Sequence, residues 1–158
     1  MSDHREIQSF YDTVYYKDAS TDIAVPHHLR RMARKFIKPG QHVLDVACGT
    51  GNWLMAVCNE GGIPSGIDLS PKAIEICKQN MPNGEFHSGP AESLPFKNNT
   101  FDMITCLGSL EHFLDPVSAV KEMVRVSKES AVFIILVPNS GFLTRRLSLY
   151  KGTHQVAA

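Results

Sequence analysis

Short runs of apolar residues alternate along the chain with longer segments in which apolar residues recur every three or four positions. The short runs predict buried β-strands, and the longer segments predict amphipathic helices. The predicted strands are residues 42–48, 63–68, 84–89, 101–108 and 131–138. The predicted helices between them are residues 51–60, 71–80 and 115–128. This alternation is typical of βαβ units, which form a parallel sheet with helices on both faces.

Two of the helices carry specific expectations about the side that faces the sheet. An additional helix precedes the first strand, and its predicted buried face consists of Leu29, Met32, Ala33, Phe36 and Ile37. The basic residues of this helix lie on the opposite side, which we interpret as a solvated face. In the helix of residues 115–128, the predicted buried face consists of Val117, Val120, Met123 and Val124.

Composition and charge narrow the classes of protein that fit. The chain has 158 residues, of which 16 are basic and 16 acidic, so its net charge gives no reason to expect nucleic acid or an anionic membrane as a partner. No apolar run approaches the roughly 18 residues that cross a bilayer, and residues 1–10 are too polar for a signal peptide. The cysteines Cys48, Cys58, Cys77 and Cys106 show no metal or disulfide spacing. We therefore expect a reduced, cytoplasmic protein without a metal site.

The stretch VLDVACGTGNW, residues 43–53, carries the strongest chemical signal. It places a glycine turn, Gly49 and Gly51, at the carboxyl end of the first strand, where open parallel sheets bind their ligands. The helix that follows points its N-terminal amides at the same place. Asp68 ends the second strand, and a carboxylate there can accept hydrogen bonds from both hydroxyls of a ribose. Together these features predict a cofactor that contains adenosine.

Two positions favour one such cofactor over another. A dinucleotide turn has a third glycine, but Leu54 stands at that position here. Asp45 adds a carboxylate just before the turn, which a pyrophosphate does not need and an ammonium or sulfonium group does. A nicotinamide-dependent reductase on the same fold stays open as an alternative that Leu54 disfavours.

The residues quoted above closely resemble the first motif of the class I S-adenosylmethionine-dependent methyltransferases. Three further segments resemble that family in the correct order: GIDLSPKAIEICKQN, GPAESLPFKNNTFDMI and CLGSLEHFLDPVSAVKEMVRVSK. The resemblance covers about residues 41–140 and is greatest to small-molecule methyltransferases of type 11, a group that includes quinone-biosynthesis enzymes. It implies a Rossmann-like α/β fold, with a doubly wound, mainly parallel sheet of strand order 3-2-1-4-5.

The resemblance also implies an S-adenosyl-L-methionine site and its residues. The implied cofactor contacts are Tyr11, Asp45, Ala47, Cys48, Gly49, Gly51, Asp68, Leu69, Ala91, Glu92 and Leu107. Glu111 and His112 follow the fourth strand and are candidates to line the acceptor pocket, with a general-base role open for either. Trp53 either packs in the core or shields the sulfonium. The family often has an acid where Pro90 stands here, so the adenine edge relies on Ala91, Glu92 or water.

The expected organisation is an N-terminal helical lid, residues 1–40, on a cofactor-binding core, residues 41–158. The resembled fold has seven strands, and the sequence offers no sixth or seventh. The chain is then either a truncated product or a five-stranded core that a partner completes. The fifth strand becomes an apolar sheet edge, which predicts self-association, for example as a homodimer. The expected function is methyl transfer to a small-molecule acceptor, and the alternative is a non-catalytic protein that binds the cofactor without a complete acceptor pocket.

Overall fold

The computed structural model describes residues 3–138, and within them five strands form one parallel sheet. The strands are β1 (His42–Val46), β2 (Ile63–Asp68), β3 (Glu85–Ser88), β4 (Phe101–Leu107) and β5 (Ser127–Leu136). They lie in the order β3-β2-β1-β4-β5, and every neighbouring pair is parallel. The Rossmann-like sheet and its predicted strand order are therefore confirmed. Residues 140–152, whose sequence can supply a further helix or lid, lie outside the described residues.

Within the same residues, five α-helices accompany the sheet. They are α1 (His4–Phe10), α2 (His27–Phe36), α3 (Asn52–Asn59), α4 (Pro71–Asn80) and α5 (Pro116–Val126). Helix α1 continues directly into a π-helical turn, Tyr11–Tyr15, and a 3-10 turn, Leu110–His112, follows β4. None of the helices within residues 3–138 combines the length and the apolar character that crossing a bilayer requires.

Local chemistry explains where the helices that follow β2 and β4 begin. The Ser70 hydroxyl accepts a hydrogen bond from the Ala73 amide at 3.1 Å, and Pro71 occupies the first helical position, where no amide hydrogen is needed. At the start of α5, the Asp115 carboxylate accepts from the Ser118 amide at 3.0 Å. Both caps satisfy amides that have no partner within the helix.

Alternating strand residues divide the core between the two faces of the sheet. Val43 and Met103 pack with α2, α3 and α4 on one face, and Leu44 and Ile104 pack with α5 on the other. Helix α2 joins the first of these clusters through Ala33 and Ile37, as predicted. Leu29 and Met32 are partly buried against the same cluster, whereas Phe36, predicted to be buried, is 39% exposed.

The predicted buried face of α5 is wrong except at Met123, which is buried. Val117 and Val124 are 64% and 58% exposed, and Val120 is also exposed. The side chains that enter the core are Ala119, Met123 and Val126.

Hydrogen bonds of two polar side chains, Glu122 and Arg125, explain this rotation of α5. Glu122 accepts from the Leu94 amide at 2.8 Å, and Arg125 donates to the Leu94 and Phe96 carbonyl oxygens at 2.8 and 2.9 Å. Because Glu122 and Arg125 must reach the loop before β4, they set the helix rotation and leave the valines at the surface.

The start of β5 also differs from the prediction. The strand begins at Ser127, directly after α5, and not at residue 131. The predicted helix extends to residue 128, but α5 ends at Val126 and Ser127 pairs with Phe101. The Lys128 ammonium donates to the Asp102 carboxylate at 2.8 Å, which holds this polar extension beside β4. The register then shifts between Phe101 and Met103, as at a β-bulge.

Candidate cofactor and active site

The turn after β1 has the backbone shape that the sequence predicts. Ala47, Gly49 and Gly51 all have positive φ angles, 63°, 55° and 87°. Ala47 is the exception among them, because a residue with a Cβ rarely adopts this region. Gly51 is the N-terminal cap residue of α3, so the turn leads directly to free helix amides.

The two glycines also keep space that a side chain would fill. A Cβ on Gly49 would lie 2.9 Å from the Tyr16 hydroxyl, and one on Gly51 would lie 2.7 Å from the Met81 methyl carbon. A Cβ at either position would displace the end of a flexible side chain, and the positive φ angles are the stronger reason for glycine here.

Asp68 is bonded to the turn and is buried, with 7% exposure. One carboxylate oxygen accepts from the Gly49 amide at 2.8 Å, and the other accepts from the Ser70 amide at 2.9 Å. Burial raises the pKa of Asp68, although the two backbone hydrogen bonds oppose this effect. The structure therefore brings together the predicted acid and the predicted glycine. Each carboxylate oxygen keeps a second lone pair with which it can accept from a ribose hydroxyl.

Asp45 is a second buried carboxylate beneath the turn. The Thr105 hydroxyl on β4 donates to it at 2.6 Å. Burial nevertheless raises the pKa of Asp45 to about 7, and the nearby charge of Asp68 contributes to the rise. Two buried acids with raised pKa values favour a cationic ligand, because a positive charge offsets the cost of ionising them. This property fits S-adenosylmethionine, which carries an ammonium and a sulfonium, and does not fit a pyrophosphate.

Residues 3–25, the described part of the predicted N-terminal lid that precedes α2, lie over this crevice. From here on we call this segment the lid. The hydroxyl of Tyr16 is the lid atom that comes close to Gly49. Burial and then the charge of Asp68 raise the pKa of Tyr16 well above its ordinary value, and the same two causes raise the pKa of Tyr11. Tyr11 and Tyr16 stack, with ring centroids 6.1 Å apart. The predicted contact residue Tyr11 is thus at the site, and Tyr16, which that prediction omitted, lies deeper.

Three hydrogen bonds join the lid to the start and end of α4. The Ser70 hydroxyl donates to the Asp12 carboxylate. The Lys72 ammonium donates to the Lys17 carbonyl at 2.6 Å, and the Asn80 amide donates to the Thr21 carbonyl at 2.7 Å. Helix α1 and the π-helical turn bury no residue of their own, so the position of the lid depends on these hydrogen bonds.

The residues predicted to line the adenine are divided between the core and the crevice wall. Ala91 is buried in the α5 side of the core, and Leu69 is partly exposed. The Glu92 carboxylate accepts from the Asp115 amide at 3.1 Å and lies 3.4 Å from the His4 ring nitrogen. Glu92 therefore links α5 to the lid, and its role toward adenine stays a prediction.

Glu111 and His112 lie in the 3-10 turn after β4, and both are exposed. Their side chains are 3.8 Å apart. The charge of Glu111 contributes to the raised pKa of Tyr11, after burial and Asp68, which indicates that this turn faces the lid. Leu107, at the end of β4, is half-buried and packs against the α3 side of the core.

Trp53 follows the glycine turn and belongs to the core. Its side chain is 3% exposed and packs in the cluster beneath α3. Of the two interpretations that the sequence left open, the structure therefore supports packing.

The sheet order, the left-handed glycine turn and the two buried acids define a protein of the class I methyltransferase fold. Residues 44–135 match the methyltransferase domain family, and the chain belongs to that family. The family confirms the predicted cofactor, S-adenosyl-L-methionine.

Individual known proteins are similar to this chain in sequence or in structure. The chain is 32% identical over 136 residues to a demethylmenaquinone methyltransferase of Renibacterium salmoninarum, covering 82% of this chain and 57% of that protein. The PH0226 protein of Pyrococcus horikoshii is similar in structure, with a TM-score of 0.69 and 30% identity, over 84% of this chain and 69% of that one. The [4+2]-cyclase SpnF shares the fold, with a TM-score of 0.70 and 21% identity, over 85% of this chain and 60% of that one. The chain thus spans less than two thirds of the curated relative.

Proposed function

We propose that this chain binds S-adenosyl-L-methionine at the β1 turn and transfers its methyl group to a small aromatic acceptor of the demethylmenaquinone class. The observation that carries the proposal is the joining of the glycine turn to a buried acid, through the hydrogen bond from the Gly49 amide to Asp68. The similarity to a demethylmenaquinone methyltransferase supports the acceptor class.

The proposed binding roles follow from the contacts of each residue. Asp68 accepts from the ribose hydroxyls through its remaining lone pairs while the Gly49 and Ser70 amides hold its carboxylate. Asp45 offsets the positive charge of the amino-acid end from beneath the turn. Tyr11 and Tyr16 close the crevice from the lid and exclude water, which strengthens the electrostatic contacts inside it.

The cofactor supplies an electrophilic methyl group attached to a positively charged sulfur. The protein aligns the acceptor so that its nucleophilic ring carbon attacks this methyl opposite the sulfur, a matter chiefly of positioning. The new bond forms to carbon, and the electron pair of the broken bond stays on sulfur. Glu111 or His112 takes the proton that the acceptor releases, since both lie on the turn that faces the lid.

Calorimetry with S-adenosylhomocysteine tests the binding half of this proposal. The unsubstituted chain is expected to bind, and Asp68→Asn is expected to bind about ten- to a hundredfold more weakly because it loses a charged acceptor. Glu129→Gln, which removes an exposed carboxylate on β5, serves as the control and keeps full affinity. Equal affinity in Asp68→Asn and the unsubstituted chain would remove Asp68 from the site.

Transfer of a radioactive methyl group tests the reaction. We expect label in a reduced naphthoquinone that carries a prenyl chain and lacks the ring methyl. Glu111→Gln or His112→Asn is expected to lower kcat while the affinity for S-adenosylhomocysteine stays unchanged. Binding without label in this acceptor would refute the proposed acceptor class and leave the cofactor site intact.

We further infer that a second copy of this chain pairs along β5. Within residues 3–138 this strand has β4 as its neighbour on one side, and its apolar side chains Val132, Phe133, Ile135 and Leu136 are exposed. An edge of this kind offers free backbone groups to another strand. Val117, Val120 and Val124 of α5, the helix that precedes β5, are exposed as well.

A further inference from the structure

Two thiols converge on one carbonyl group of the cofactor turn. The Cys48 sulfur lies 3.6 Å from the Gly49 carbonyl oxygen, and the Cys77 sulfur of α4 lies 3.3 Å from the same atom. Both cysteines are buried, and neither is in a disulfide. The pair is formed by the fold, because 28 residues of chain separate the two positions.

Neighbouring glycines leave the room that these sulfurs occupy. A Cβ on Gly66 would lie 2.8 Å from the Cys48 sulfur, and one on Gly51 would lie 2.9 Å from the Cys77 sulfur. The two thiols also interact with each other, and this interaction, together with burial, raises the pKa of Cys48. The sulfurs therefore fill one confined space directly beneath the turn.

We propose that Cys48 and Cys77 are a site of reversible oxidative modification. A hydroperoxide oxidises the two thiols to a disulfide, and the disulfide weakens cofactor binding. Cys48 reacts first, because it is 8% exposed whereas Cys77 is fully buried. Its raised pKa keeps it a thiol near neutral pH, so the reaction is slow there and becomes faster in alkaline solution. Its sulfur attacks one oxygen of hydrogen peroxide, the O–O bond breaks, and the thiol proton leaves with the other oxygen as water. The product is a sulfenic acid on Cys48.

The second step closes the disulfide. The Cys77 sulfur attacks the Cys48 sulfur, the S–O bond breaks, and the hydroxyl leaves with the Cys77 proton as a second water. The two thiols have then lost two protons and two electrons to one peroxide, which has become two waters. Neither sulfur can still donate to the Gly49 carbonyl, and the two must move to bonding distance. Because the amide of Gly49 is bonded to Asp68, this movement disturbs the contact between turn and acid.

The test uses the full chain and hydrogen peroxide. The reduced protein is first titrated with S-adenosylhomocysteine by calorimetry, then oxidised, and titrated again. We expect peptide mapping to find a Cys48–Cys77 link and the affinity to fall by about tenfold or more, as expected when hydrogen bonds that shape the turn are lost. Dithiothreitol restores the affinity. Prior saturation with S-adenosylhomocysteine slows the oxidation, since binding and oxidation oppose each other.

Variants identify the residues responsible. Cys77→Ala is expected to stop at a sulfenic acid on Cys48, which dimedone traps. Cys58→Ser, at a half-buried cysteine far along α3, behaves as the unsubstituted chain does.

Two results would overturn the proposal, and neither depends on the folding of a variant. One is the absence of a Cys48–Cys77 link after peroxide treatment, and the other is a link that leaves the affinity unchanged. Failure of the reduced chain to bind S-adenosylhomocysteine would instead refute the cofactor site.

Discussion

Asp45 is a carboxylate buried in the core where β1 pairs with β4. In an unfolded chain its pKa is about 3.9, and in the fold burial raises that pKa to about 7. The folded state therefore holds this proton more tightly. The stability that Asp45 contributes is present at acid pH and is lost as the pH rises through about 4 to 7.

Cofactor binding should have the opposite dependence on pH. Only ionised Asp45 attracts an ammonium group. With a pKa of about 7, about a tenth of the Asp45 side chains are ionised at pH 6. The affinity for S-adenosylhomocysteine at pH 6 should therefore be about tenfold below its limit at high pH. Calorimetry between pH 6 and pH 8 measures this change in affinity. Asp45→Asn should flatten the profile, and a flat profile in the unsubstituted chain would contradict ionisation near neutrality.

Site residues could be predicted where the chemistry is local in sequence. Gly49 and Asp68 follow successive strands, and parallel strands bring their carboxyl ends together, so spacing sufficed. The sequence offered Tyr11, Tyr15 and Tyr16 as lid aromatics, and the predicted contact residue was Tyr11. Which ring lies nearest the turn depends on how the lid crosses the crevice, which is a tertiary property. The run of tyrosines at residues 11–16 was the available signal, but it does not show which ring lies deepest.

At the scale of elements, α5 shows the limit of periodicity. Its apolar residues form two adjacent stripes, and hydrophobicity alone does not decide which of them faces the sheet. Contacts of Glu122 and Arg125 with the loop at residues 94–98 decide it, and these polar anchors lie outside any apolar pattern. Helices α3 and α4 and strands β1 to β4 follow the prediction closely, because turns or a helix cap bound their apolar positions, whereas β5 begins at Ser127 and not at residue 131.

A pair of substitutions on α5 tests the observed rotation. Met123→Ala should lower the free energy of unfolding by about 2–5 kcal/mol, because it leaves a cavity in the core. Val124→Ala, at an exposed neighbour, should change it by less than about 0.5 kcal/mol. Urea unfolding followed by circular dichroism measures both. A larger loss for Val124→Ala than for Met123→Ala would restore the predicted face.

The lid should open when its bond to Ser70 is removed. In Asp12→Ala we expect faster amide exchange in residues 4–22, weaker binding of S-adenosylhomocysteine and little change in Tm, since the lid helices bury no residue. Hydrogen exchange with mass spectrometry measures the opening. Asp22→Ala, an exposed acid in the same segment, is the matched control. Equal exchange in the two variants would show that Asp12 does not hold the lid.

At the scale of the whole molecule, the apolar surface of β5 and α5 should control self-association. Sedimentation of the unsubstituted chain is expected to show dimers or larger species at micromolar concentration. Ile135→Lys should shift the population to monomer, because a charge on an edge strand opposes pairing. Val14→Lys places the same charge on the exposed lid and should leave the association unchanged. A monomeric unsubstituted chain would refute pairing along β5.

The burial of Asp45 and Asp68 has a consequence for the life of the protein in a cell. Without a ligand, burial holds the pKa of both acids above its ordinary value, so ionising either of them in the dry interior costs free energy. A bound methyl donor removes that burden and stabilises the native state by mass action. Where the supply of this metabolite falls, the half-life of the protein should therefore shorten.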